Sequence, residues 1–333
     1  HLLQLETDAL MQSKISMSKS ARLVAGVFAL VSALLSGCVG IIAPQATVLR
    51  DDWPADLPKK VELTEVPFFP QEDYQCGPAA LATSMSHFNV NVTPEQLVSQ
   101  VYLPARQGSL QLEMLATPRR FGLVSYLLAP RYEDLLREVA AGNPVVVLQN
   151  QNSEWHYAVV AGYDGVEGMM VLRSGKVKRQ EMQFFVLEYT WANTGYWALV
   201  TMPPDRIPVT ATEPEYLAAV VAMARVGAPP AVQTAYRTFL ERWPDNVTAA
   251  IGLANSYHAQ GQLNAAEAVL RGAVERHPDS DAAMNNLAQA LSDEGKNDEA
   301  LAIIERAVAL AGPYASAALQ TRDIIVQRRA QKN

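Results

Sequence analysis

Hydrophobic and polar positions follow two different regimes on either side of Pro203-Pro204. Upstream, Cys76, Ala79, Ala80, Thr83, Ser84 and His87 form one small-residue face at helical spacing, and Leu81 and Met85 extend its packing surface. This predicts a helix over 75–87 that opens at Cys76 and carries Pro78 in its first turn, where a missing N–H costs little. Thr93-Pro94-Glu95 supplies a cap and an early proline for a second helix ending near Val101. Leu110 to Phe121 and Arg131 to Ala140 predict two more. Gly142-Asn143-Pro144 then breaks into Val145-Val146-Val147-Leu148, a buried strand, followed by strands from His156 to Tyr163, Met169 to Arg173 and Tyr196 to Thr201. Helices first and antiparallel strands afterwards specify an α+β domain over 66–204.

Downstream the composition shifts to Ala-rich helices with a period of 34 residues. Ala254, Tyr257, Gly261, Ala266, Leu270, Ala273 and Pro278 recur one period later as Ala288, Leu291, Gly295, Ala300, Ile304 and Ala307, with Pro313 displaced by one. A fainter copy precedes them in Val220, Met223, Gly227, Val232, Tyr236, Phe239 and Pro244. The pattern resembles tetratricopeptide repeats, in which small residues at a helix crossing allow close packing and a terminal proline ends the second helix. It implies an all-α domain over 213–330, about three units with residues 315–330 as capping helix, and a protein partner held by the repeats.

The N-terminal region reads differently from both. Met17-Ser-Lys19-Ser-Ala-Arg22, an apolar stretch from Leu23 to Leu35 and Ser36-Gly37-Cys38 give a positive, then apolar, then small-residue order, too short for a membrane span. Leu35-Ser36-Gly37-Cys38 resembles a bacterial lipobox, which implies a signal peptide over 17–37, diacylation of Cys38 and a membrane anchor through lipid alone. Val39 stands where the inner-membrane retention signal has aspartate, so the expected place is the periplasmic side of a Gram-negative outer membrane. Residues 1–16, with acidic Glu6 and Asp8, are expected to be an upstream translation artefact, and the Pro- and Asp-rich residues 38–65 a tether.

At 333 residues, two folded units are expected. A net charge of −7 without clustered Lys or Arg excludes a nucleic-acid binder. One thiol and scattered histidines give no zinc-type spacing, and no phosphate- or dinucleotide-binding glycine pattern is present, so no cofactor is expected.

Once Cys38 is assigned to lipid, Cys76 is a lone thiol in an exported chain, hence inert, intermolecular or chemically active. Its place at a helix start favours activity, because unpaired N–H groups and the positive dipole end stabilise a thiolate. A base is needed next. His87, His258 and His277 fall in helical contexts and His1 in the leader, whereas His156 opens an apolar strand and is flanked by Trp155, which could wall a cleft. Gln71, with Gln75 as the alternative, offers a side-chain amide to a tetrahedral oxyanion beside the Cys76 N–H.

Residues 66–201 resemble the bacteriocin-processing peptidase family and its stand-alone papain-like relatives. The resemblance rests on Gln71, on Cys76-Gly77-Pro78-Ala79-Ala80-Leu81, on Gly142-Asn143-Pro144-Val145, and on His156-Tyr157-Ala158-Val159-Val160 with Gly162-Tyr163-Asp164. It implies Cys76 as nucleophile, His156 as base and acid, and Gln71 as oxyanion donor. The family orients its histidine with an Asp on the next strand, but here that region reads Val171-Leu172-Arg173-Ser174-Gly175. Ser174, Asp164 and Asn193 are the candidates for that place. No transporter segment accompanies the domain, which argues against leader clipping by an exporter. The expected function is a lipid-anchored cysteine hydrolase of peptide or isopeptide bonds, with amidase and acyl transferase as open reaction types. The alternative is an inactive papain-like scaffold that binds peptides and assembles an envelope complex.

Overall fold

The structure is a computed structural model, and it describes residues 43–71, 75–151 and 153–332. The expected signal peptide over 17–37, Cys38 and residues 1–16 lie outside the described residues. From Pro44 onward the described residues belong to one compact unit, Pro44–Asn333.

Much of the expected tether is structured. Helix α1 (Pro44–Asp51) and strand β1 (Lys60–Glu62) strap across the first domain. The Gln45 and Ala46 backbone N–H groups donate to the fully buried Glu188 carboxylate at 3.0 and 2.6 Å, so an acidic side chain caps the helix N-terminus. Trp53 then packs on Tyr163 and Phe184, and β1 pairs with a central strand. The proline and aspartate content misled here because the segment's partners lie far away in the chain, from 81 residues for Asp56 and Arg137 to 143 for Gln45 and Glu188.

Helices α2 (Cys76–His87), α3 (Pro94–Val101) and α4 (Gln111–Arg120) follow, with the short pair β2 (Tyr102–Leu103) and β3 (Gly108–Ser109) before α4. Next come β4 (Val124–Leu127), α5 (Tyr132–Ala140), β5 (Val145–Gln151), β6 (Glu154–Asp164), β7 (Met169–Ser174), β8 (Val177–Gln183), α6 (Phe184–Ala192) and β9 (Ala198–Met202). The strands form one antiparallel sheet in the order β4-β9-β5-β6-β7-β8, with β1 also on β6. On one face, Leu81, Met85, Leu97 and Met114 of the early helices pack against Val146, Leu148, Tyr157, Val159 and Ala161. On the other, Tyr132, Phe184 and Trp191 make an aromatic layer under α5 and α6. A register shift between Val160 and Gly162 marks a bulge in the β6–β7 pairing, and Gly162, without a side chain, lets β1 approach so closely that an added Cβ would meet the Val61 carbonyl at 2.6 Å.

Strand β8 and helix α6 are not evident from periodicity. Val177 to Gln183 is a charged, largely exposed edge strand, a device that discourages pairing with other chains. Phe184 to Ala192 is mostly apolar and aromatic, and its one charged residue, Glu188, is buried, so it lacks the polar face that marks a surface helix.

The second domain repeats one helical hairpin: α7 (Glu213–Ala224) with α8 (Pro229–Arg242), α9 (Val247–Ala259) with α10 (Leu263–Arg276), and α11 (Asp281–Asp293) with α12 (Asn297–Leu310), closed by α13 (Ala315–Lys332). Each hairpin begins 34 residues after the last, and Ala254, Ala266, Ala273, Ala288, Ala300 and Ala307 lie in the shared core. Helix α7 joins the first domain where Tyr216 meets Tyr126 edge-on at 6.1 Å. Beside that contact the fully buried Glu138 carboxylate accepts from Thr210 N–H at 2.7 Å, Thr210 Oγ1 at 2.6 Å and Asn143 Nδ2 at 2.7 Å. Removing this acceptor strands three donors. Glu138→Ala is expected to lower the unfolding free energy by about 2–4 kcal/mol in urea titrations; a loss below about 0.5 kcal/mol would show that the junction does not depend on it.

Candidate active site

The site begins with the burial of α2, whose residues Cys76 to Met85 are all buried. Gly77 is required by this packing, because a Cβ there would collide with Ser109 and lie 3.2 Å from Met114 Sδ. Cys76 is the first helical residue and 8% exposed. It lines a narrow cleft with Phe68, Phe69, Gln71, Tyr157, Arg173 and Ser174.

Two effects oppose each other at the thiol. Burial pushes its pKa up, while hydrogen bonding at the backbone of Tyr157, Gly77 and Cys76 itself pulls it down, and burial dominates. With its pKa raised, the Cys76 thiol is neutral at pH 7. The Tyr157 phenol, pushed up by burial and by the neighbouring Cys76, donates to the Ser109 carbonyl at 3.3 Å.

His156 lies near the start of β6, directly opposite Gln149 of β5. Its Nε2 shares a 2.8 Å hydrogen bond with Ser174 Oγ of β7, so Ser174 is the side chain behind the imidazole. Burial lowers the ring pKa, and no charged group offsets that shift. Among the described residues, no hydrogen bond joins the ring to Cys76, and His156 does not line the cleft. Tyr157, Val159 and Ala161 are the β6 residues packed with α2, and His156 is one residue out of step with them.

Of the two glutamines, Gln71 lines the cleft, and its N–H donates to the Gly175 carbonyl at 3.0 Å. Gln75 is the N-cap residue of α2 and makes no side-chain cap bond. Asp164 is not a partner of His156. It closes the far end of β6, about 26 Å along an extended strand. There it pairs with Lys60 at 2.8 Å and accepts from the Val166 and Glu167 N–H groups at 3.0 Å each. These contacts hold its carboxyl below the usual range. Asn193 is also excluded, since its amide donates to the Asn150 carbonyl at 3.0 Å. Trp155 is 57% exposed beside His156.

Residue reading missed Arg173, a buried charge directly after the apolar run Met169-Met170-Val171-Leu172. That contrast within a core strand was the available signal. Among the described residues no cluster of three or more His, Cys, Asp or Glu side chains is placed to hold a metal.

Residues 63–198 match the family model described as "Peptidase_C39 like family", and residues 227–284 and 258–322 each match "Tetratricopeptide repeat". No curated protein matches the chain. Among solved structures, a protein assigned as a C39-like peptidase from Bacillus anthracis is 17% identical, over 44% of this chain and 98% of that one, with a TM-score of 0.38. The TPR2B domain of yeast Sti1, solved in complex with pHsp70, is 18% identical over 35% of this chain and 97% of its own, with a TM-score of 0.33. The chain therefore joins a domain of the peptidase C39-like family to a run of tetratricopeptide repeats.

Proposed function

We propose that the first domain is a cysteine hydrolase of peptide or isopeptide bonds, with Cys76 as nucleophile and His156, held by Ser174, as base. The observation that carries this reading is the His156 Nε2–Ser174 Oγ bond at 2.8 Å, with Ser174 lining the Cys76 cleft. With Nε2–H donating to Ser174, the lone pair of Nδ1 is free to take the thiol proton. Ring and thiol are both neutral at rest, so proton transfer accompanies attack and requires the ring to swing toward the cleft when substrate binds. The thiolate then bonds to the carbonyl carbon, and the oxyanion rests on the Gln71 amide and the Cys76 N–H. His156 returns the proton to the leaving amine, and water releases the thioester.

In this reading the repeats recruit a protein partner, and diacylated Cys38 tethers the chain to the periplasmic side of an outer membrane. Cys38→Ala is then expected to move the protein from the membrane to the soluble fraction of cells; retention at the membrane would contradict the anchor.

A second reading is favoured by one specific observation, the hydroxyl in place of a carboxylate behind His156. A serine cannot stabilise imidazolium as an ionised carboxylate does, so a domain that binds peptides without cleaving them fits the same cleft.

The two readings separate by pH and by one substitution. Because burial disfavours imidazolium, neutral His156 persists to lower pH than an exposed histidine. Turnover of activated peptide esters should therefore fall only as pH drops through a value below 6.5. Ser174→Asp would stabilise imidazolium, move that limb upward and raise the plateau rate about tenfold or more. No turnover in either protein, with no Cys76-dependent product, favours the binding domain.

A further inference from the structure

Arg173 is 5% exposed and lines the cleft that holds Cys76. Its Nε donates to the Val66 carbonyl at 3.4 Å and its Nη2 to the Leu63 carbonyl at 3.3 Å, both long bonds to neutral acceptors. Its Nη1 is buried with no partner. The nearest acidic influence is Glu62, whose carboxylate oxygens are bonded to Arg179 at 2.9 and 3.1 Å. A buried guanidinium is normally matched by a carboxylate in fork geometry, because an unpaired buried charge loses its hydration without compensation. Ala79 and Ala80 line the same cleft with small side chains.

We propose that Arg173 makes this cleft a carboxylate subsite: it takes an acidic group of the bound peptide, either a Glu or Asp side chain or a C-terminal carboxylate, through Nη1. The charge-assisted bond supplies the partner the fold omits and fixes the register of the peptide relative to Cys76. This rests on the proposed function only for the identity of the ligand as a peptide, and its test reads binding without turnover.

The test uses the full chain carrying Cys76→Ala and fluorescent hexapeptides in matched pairs. One set moves a single Glu along the peptide against Gln at the same position, and the other compares a C-terminal acid with its amide. Anisotropy titrations should show at least one Glu/Gln or acid/amide pair differing tenfold or more in Kd, and the pair that differs identifies the source of the carboxylate. Arg173→Met should abolish the difference, and Arg173→Lys should retain part of it, because the charge stays and the fork is lost. Should Arg173→Met fail to fold, discrimination in the parent and its reduction in Arg173→Lys carry the test. Kd values within twofold in every pair, no binding by any acidic peptide, or unchanged discrimination in either Arg173 variant would overturn the subsite. A peptide that binds with discrimination and is never cleaved by protein with Cys76 intact would leave the subsite standing and remove the hydrolase.

Discussion

The packing of α2 into the centre of the first domain is the constraint from which the rest of the site follows. A helix with ten consecutive buried residues, Cys76 to Met85, can lie against a sheet only if its side chains are small where the backbone approaches. Gly77, Ala79, Ala80 and Ala82 meet that need, and Leu81 and Met85 fill the space toward β6 and α4. The same burial seats Cys76 at the helix opening, against the backbone of Tyr157, and leaves a narrow cleft between α2 and the end of β7. The loop bearing Gln71 is then held by that strand end, through the Gly175 carbonyl and the Arg173 bonds to Leu63 and Val66.

Burial also sets the electrostatics. It raises the thiol and lowers the imidazole, so both groups rest in their neutral forms. A helix dipole and a few backbone donors do not outweigh the loss of water around Cys76, and a serine hydroxyl adds no charge to favour imidazolium. The site as folded stores no thiolate–imidazolium pair. Any reactivity must be created as substrate enters, by proton transfer coupled to attack.

Sequence reading reached the elements whose cause is local. The small-residue face of α2 and the 34-residue repeat are periodic, and periodicity survives without knowledge of partners. The apolar runs of β5 to β7 were legible for the same reason. What escaped depends on distant pairing: α1 is held by Glu188, β1 by β6, and α6 buries Phe184, Leu187, Glu188 and Trp191 while Phe185 and Tyr189 stay exposed, so its sequence shows no polar face. The site divides in the same way. Residue types singled out Cys76, His156 and Gln71, but the choice among Ser174, Asp164 and Asn193 needed strand register. That register puts Ser174 beside His156 and sends Asp164 to the far end of the same strand.

The central claim is that His156 makes Cys76 a nucleophile despite the neutral resting pair. The most direct measurement is pre-steady-state acylation by a p-nitrophenyl ester at pH 7.5, with nitrophenolate release followed in time and the thioester located by mass spectrometry. The account predicts a burst with the acyl group on Cys76, slowed about a hundredfold or more in His156→Ala. An acyl group found elsewhere, or equal burst rates in the two proteins, would contradict it.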